Sequence, residues 1–158
     1  STKEVKDNWE KIKSLEKNST KDPEKFFEDV PLSLPALAHA AKVQKKASQL
    51  NFDWTNASEI LSKINEEVKE LWCACETDKK IDIEEEFGDV LFSIVNLGRK
   101  LDVDPEKSLG VSIKKFKKRI REAIKLIKAE KVSDKHLTDK KLHEIWEHAK
   151  DLLKKNDI

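Results

Sequence analysis

Between Ile83 and Leu101 the apolar positions Ile83, Phe87, Val90, Leu91, Ile94, Val95, Gly98 and Leu101 recur at intervals of three and four residues. That spacing matches the 3.6-residue turn of an α-helix and conflicts with the two-residue repeat of a strand. The period returns around "EILSKINEEVKELWCAC", where Ile60, Leu61, Ile64, Val68, Leu71 and Cys75 form an expected core stripe. No stretch of useful length alternates as a half-buried strand would. Three glycines and four prolines leave few turn-formers for a many-stranded sheet. The fold class expected is all-α, a helical bundle.

The same spacing predicts a helix over 3–17, carrying Val5, Trp9, Ile12 and Leu15, and a linker through about residue 31. A second helix runs over 34–50, with Ser33 as its cap and Pro35 in its first turn. A third starts from a Thr55 or Asn56 cap and reaches about Glu76. A fourth spans about Ile83 to Leu101, and a fifth runs from an Asp104 cap to about Lys131. A last helix covers about Lys140 to Lys155. Two segments result, 1–30 as an N-terminal helix and linker and 31–158 as the helical domain. The chain begins with Ser and contains no methionine, so it reads as a segment excised from something longer.

Charged residues make up 40% of the chain, yet the net charge is +1. Any electrostatic function must therefore come from local clustering, and nucleic acid is not the expected partner. No apolar run reaches the roughly 18 residues of a membrane span. The charged N-terminus lacks the apolar segment of a secretory signal. Cys73 and Cys75 lie about 200° apart on one helix, which excludes their pairing. They read as reduced core or interface thiols of a cytoplasmic protein, and the N-x-S/T matches at Asn18 and Asn56 then read as chance. No glycine-rich phosphate loop is present.

Within "KINEEVKELW", Lys63, Glu66, Glu67 and Glu70 share an arc of about 100°, with the apolar stripe centred about 130° away. Taken alone, this is an amphipathic helix with a solvated face. "EEEFGDVLFSIVNL" differs, because Glu86 and Asp89 edge a wide apolar face. Asp89 has Glu85, Glu86, Phe92 and Ser93 as its neighbours one turn away, and none is basic. Crowded carboxylates respond by holding a proton or recruiting a cation. An antiparallel pairing of the two helices would set Glu67 and Glu70 against Glu86 and Asp89. Such an oxygen-only site suits Mg²⁺, with Mn²⁺ as a substitute, better than zinc.

E-E-x-x-E (Glu66, Glu67, Glu70) followed by E-x-x-D (Glu86, Asp89) resembles the metal signature of the MazG family of all-α nucleoside triphosphate pyrophosphohydrolases. "VPLSLPALAHAAKVQKKAS", "FDW", "EEEFGDVLFSIVNLGRKLDVDPEKSL", "KKFKKR" and "IWEHAK" resemble family blocks in the same order, and "NWEKIKSLEK" resembles the segment joining the halves of the two-repeat bacterial enzymes. The likeness covers nearly the whole chain and is closest to the C-terminal, catalytic half. It implies hydrolysis of NTPs or dNTPs between the α- and β-phosphates, to a nucleoside monophosphate and pyrophosphate, in nucleotide-pool house-cleaning. By position it implies Glu67, Glu70, Glu86 and Asp89 as metal ligands, with Glu66 and Glu67 as catalytic residues and Glu66 a further ligand or a base orienting water. It implies substrate contacts from Lys63, Glu66, Glu85, Asp89, Lys115, Arg119, Trp146 and Lys150. Two positions depart from the pattern: Asp82 stands where relatives often have lysine, and Ile113 where asparagine is usual.

Each of these positions also has a plainer reading. Lys115 and Arg119 in "KKFKKRIR" share one side of a helix, as phosphate contacts or as part of a solvated basic face. Lys114, Lys117, Lys118 and Arg121 read as surface charge. Trp146 is a packing aromatic or a base-stacking one, Trp54 a packing residue or the border of a base pocket, and Trp72 a packing residue. His39 packs or touches a base, while His136, His143 and His148 form no metal set. The alternatives to a general nucleotide pyrophosphohydrolase are a relative specialised for phosphoribosyl-ATP or one dNTP, and a non-catalytic nucleic-acid-binding or scaffold bundle. The wide apolar face at 83–101 exceeds what one small bundle covers, so a homodimer or larger homo-oligomer is expected.

Overall fold

The computed structural model describes residues 25–130 and 138–156, and all its regular elements are helical: α1 (Ala36–Ser48), α2 (Ala57–Thr77), α3 (Lys80–Lys100), α4 (Pro105–Ala129) and α5 (Asp139–Asn156). The all-α expectation holds. The helix expected at 3–17 and His136 lie outside the described residues. The chain forms two compact units, one ending at Glu106 and the other starting at Lys107.

In the first unit, α2 and α3 form a hairpin. Asp78 adopts a left-handed φ of 54° and Lys79 an extended one, and these two residues reverse the chain. The connector expected at 77–82 is thus shorter than its polar composition suggested, and α3 starts at Lys80 instead of Ile83. Lys80–Glu84 and Lys79–Asp82 pairs at 3.5 and 4.0 Å support its first turn, where Asp82 also complements the positive end of the helix dipole. At the other end of α2 the cap is Asn56, whose side chain accepts from the Glu59 amide at 3.1 Å. Ser33 does not cap α1. The helix begins at Ala36 with Pro35 in the cap position and no side-chain cap bond.

The core of the hairpin is narrower than the expected stripe. On α2 the inward positions are Ile60, Ile64, Glu67, Leu71 and Ala74, and on α3 they include Ile83, Glu86, Val90, Ser93 and Leu97, with Val95 fully buried. These follow alternating steps of four and three, the seam of two helices packed lengthwise. Leu61, Val68 and Cys75, expected in the core, are exposed, as is Cys73. A helix that contacts one partner buries a seam of this width, whereas the wider stripe assumed burial on several sides.

Helix α1 also packs on α3. Gln44, buried, donates from Nε2 to the Phe92 carbonyl at 2.8 Å. The "FDW" loop is fastened to the end of α3. Asp53 pairs with Arg99 and, at 3.9 Å, with Lys100, whose Nζ also donates to the Trp54 carbonyl at 2.7 Å. After α3 the Val103 amide donates to the Gly98 carbonyl at 2.8 Å. A Cβ at Gly98 would lie 3.1 Å from the Val103 carbonyl oxygen, so this tight exit favours glycine.

In the second unit, Ala123, Ile145 and Ala149 form a buried cluster with Leu126 and Ile127 against it. A Lys141–Glu130 pair at 2.7 Å joins the end of α4 to the start of α5. No helix among the described residues is long and apolar enough to cross a membrane.

Candidate metal centre

Two seam positions that a hydrophobe would ordinarily fill are glutamates. Glu67 on α2 lies between the turns of Ile64 and Leu71 and is 5% exposed, and Glu86 on α3 is half-buried. With Glu70, one turn along α2 from Glu67, they present one carboxylate oxygen each within 4.8 Å of one another. Asp89, one turn beyond Glu86, is exposed and stands outside this triad. The hairpin therefore brings together three of the four residues expected as ligands.

Lys63, one turn before Glu66 and Glu67, pairs with both at 2.7 Å. Hydrogen bonds to Glu66 and then to Glu67 hold its ammonium above the usual lysine range. Among the described residues no basic side chain pairs with Glu70 or Glu86. Burial, and then the charges of Glu70, Asp89, Glu67 and Glu85, push the Glu86 carboxyl up from its ordinary 4.5. Asp89 and Glu85 thus act on the centre through their fields. One shared ammonium leaves it with excess negative charge.

That donor set fits a hard dication. All its groups are carboxylate oxygens, they come from two rigid helices, and the excess charge is of the sign that Mg²⁺ or Mn²⁺ neutralises. Sulfur and imidazole, which would favour zinc, are missing from it.

The remaining expected site residues belong to the second unit. Arg119 lies with its guanidinium 5.8 Å from the centre of the Trp146 ring, and Phe116 tilts against the same indole at 5.6 Å. Trp146 is half-buried, so it presents part of its surface. Lys150 pairs with Glu147 at 2.8 Å, and Lys115 is exposed. Lys114, Lys117, Lys118 and Arg121 are exposed, as surface charge should be. Trp72 is exposed, contrary to the packing role expected of it, and its indole donates to Glu76 at 3.2 Å. Trp54 borders a cavity of about 450 Å³ lined also by Gln44, Phe92, Asn96 and Arg99.

Sequence reasoning missed two features. In the sequence Phe116 reads only as part of the basic block "KKFKKR", and its place beside Trp146 depends on both helices. The burial of Glu67 was also missed, although the four-three register running from Ile60 through Ile64 to Leu71 and Ala74 passes through it.

Residues 55–124 match the model of the MazG nucleotide pyrophosphohydrolase domain. The chain is similar to the nucleoside triphosphate pyrophosphohydrolase/pyrophosphatase MazG of Thermotoga maritima, at 44% identity over 142 residues, 90% of this chain and 54% of that protein. It is 34% identical over 149 residues to the nucleoside triphosphate pyrophosphohydrolase of Escherichia coli K12, covering 93% of this chain and 56% of the relative. An uncharacterised Bacillus subtilis protein, YabN, is 35% identical over 145 residues, 91% of this chain and 29% of that protein. The chain thus spans about half the length of the Thermotoga and Escherichia relatives. An all-helical hairpin with paired carboxylates on both arms, the domain match over residues 55–124 and the identity over nearly all of the chain agree: the chain is similar to the MazG nucleotide pyrophosphohydrolases.

Proposed function

We propose that this protein hydrolyses nucleoside triphosphates, NTPs or dNTPs, at the α–β phosphoanhydride, releasing a nucleoside monophosphate and pyrophosphate. The observation that carries this reading is the convergence of Glu67, Glu70 and Glu86 within 4.8 Å on one helical hairpin. The names of the Thermotoga and Escherichia relatives support the reaction class. The catalytic portion is assigned to residues 31–158.

In this reading Glu67, Glu70 and Glu86 hold Mg²⁺, or Mn²⁺ in its place, with Asp89 as the fourth ligand from the rim. The ion, when bound, supplies the positive charge that phosphoanhydride cleavage requires. Glu66 orients the attacking water. Its Oε1 is engaged by Lys63 at 2.7 Å, which leaves Oε2 to accept the proton as the water oxygen attacks the α-phosphorus and pyrophosphate departs. In the first unit Lys63 contributes a phosphate contact and Glu85 lies in the nucleotide segment; of the second unit, taken by itself, Lys115, Arg119 and Lys150 are phosphate-binding candidates and Trp146 a base-stacking one.

Self-association belongs to the same proposal. Phe87, Leu91 and Ile94, all exposed on α3, support a homodimer or larger homo-oligomer. Sedimentation that finds a fully active monomer would contradict it. The activity is tested by incubating the protein and Mg²⁺ with canonical and damaged nucleotides and resolving the products. Equimolar monophosphate and pyrophosphate are expected. Release of orthophosphate, or no turnover of any triphosphate, would refute the reading.

A further inference from the structure

Glu67 is the most deeply buried carboxylate of the centre, and it already has a cation. Lys63 Nζ lies 2.7 Å from its Oε1 and equally close to Glu66 Oε1. The two pairs differ in environment. The Glu67 side chain is 7% exposed and the Glu66 side chain 57%, so the first pair is shielded from water and the second is open to it. A buried carboxylate without a partner is strongly destabilising. Lys63 is therefore the counter-charge that seats Glu67 in the seam when no dication is present.

We infer that Lys63 is an internal counter-ion that competes with the dication for Glu67 and gives this carboxylate up as the ion loads, falling back on Glu66. The inference rests on the metal-binding reading above and deepens it. Loading a dication beside an ammonium brings like charges together at short range, where the repulsion is large at any protein dielectric. Lys63 escapes that repulsion at small cost, because Glu66 lies on the same helix, already in contact and on the solvent side. Its ammonium, once released from the seam, stands at the mouth of the centre, free to meet an arriving polyanion. Lys63 is thus a positioning residue for the empty site. Its presence lowers metal affinity and raises the stability of the metal-free protein.

The sign of the effect is the test. Calorimetric titration of the full chain with Mn²⁺ and with Mg²⁺, without nucleotide, is compared for wild type, Lys63→Met and the charge-conserving Lys63→Arg. Thermal unfolding in EDTA is recorded for all three. Lys63→Met should bind the ion on the order of tenfold more tightly and unfold at a lower temperature in EDTA. Lys63→Arg should stay near wild type in both measurements. If Lys63→Met does not fold, Lys63→Gln should give the same tightening. Wild-type uptake with unchanged or weaker uptake by the neutral variants overturns this inference and leaves the metal site standing. No uptake by any variant overturns the metal site and the inference together.

Discussion

Glu67 sits where the hairpin seam asks for a hydrophobe, so Glu67→Leu should separate stability from metal binding. The substitution exchanges a carboxylate that is 5% exposed for a side chain of similar volume that matches Ile64 and Leu71 around it. Lys63 is not stranded by the change, since it keeps Glu66 and is 31% exposed. Replacing a buried ion pair by packed hydrophobes is often neutral or stabilising by about 1–4 kcal/mol. A gain of about 2 kcal/mol is expected in EDTA, or about 4–8 °C in Tm for a chain of this size. With metal the order should reverse. An ion at a hundred times its Kd adds about 2.7 kcal/mol to a protein that binds it, and the variant forfeits that gain. Circular dichroism melts with EDTA and with saturating Mg²⁺ should therefore cross. A variant less stable than wild type in EDTA would refute the claim that Glu67 is retained for metal at a cost to the fold.

Three further outcomes follow from the same structure. Because the Glu86 carboxyl is raised above its ordinary 4.5 in the folded protein, the native state binds its proton more tightly than the unfolded chain does. Metal-free stability should then fall as pH rises from about 4.5 through the raised value. Glu86→Gln should remove that component, as denaturant melts across pH would report. The Asp53 carboxyl is held below its ordinary 3.8, first by its hydrogen bond to Arg99. Its contribution is present above 3.8 and lost as pH falls through the lowered value, and Asp53→Asn should cost about 1–2 kcal/mol at pH 7 by urea denaturation. Ile60, fully buried in the seam, should cost about 2–5 kcal/mol as Ile60→Ala, read from the shift of the urea midpoint.

The helical class and the order of the five described helices were legible in the sequence because three- and four-residue spacing is a local property. The Asp78–Lys79 reversal was not, since its charged residues serve a loop and a helix start equally well. Burial was legible only in part. Leu61 and Val68 satisfy the apolar pattern, but among the described residues α2 packs chiefly on α3, and the seam that partner selects runs through Glu67. The candidate centre was legible as two acidic clusters, and an antiparallel hairpin was enough to pair them. The exclusion of Asp89 from the tight triad depends on where the side chains of α3 meet α2, which no spacing rule supplies. Nor could the sequence foretell that Lys63 would choose Glu67 as well as Glu66, because that choice depends on how deeply the seam buries one carboxylate and not the other.

The central claim is that Glu67, Glu70 and Glu86 jointly hold a divalent ion. Crystals soaked in Mn²⁺, with data collected to give an anomalous signal, test this most directly. The account predicts a peak bonded to a carboxylate oxygen of all three residues at about 2.1–2.2 Å. A map with no peak there, or with manganese bound only at other surface acids, would contradict it.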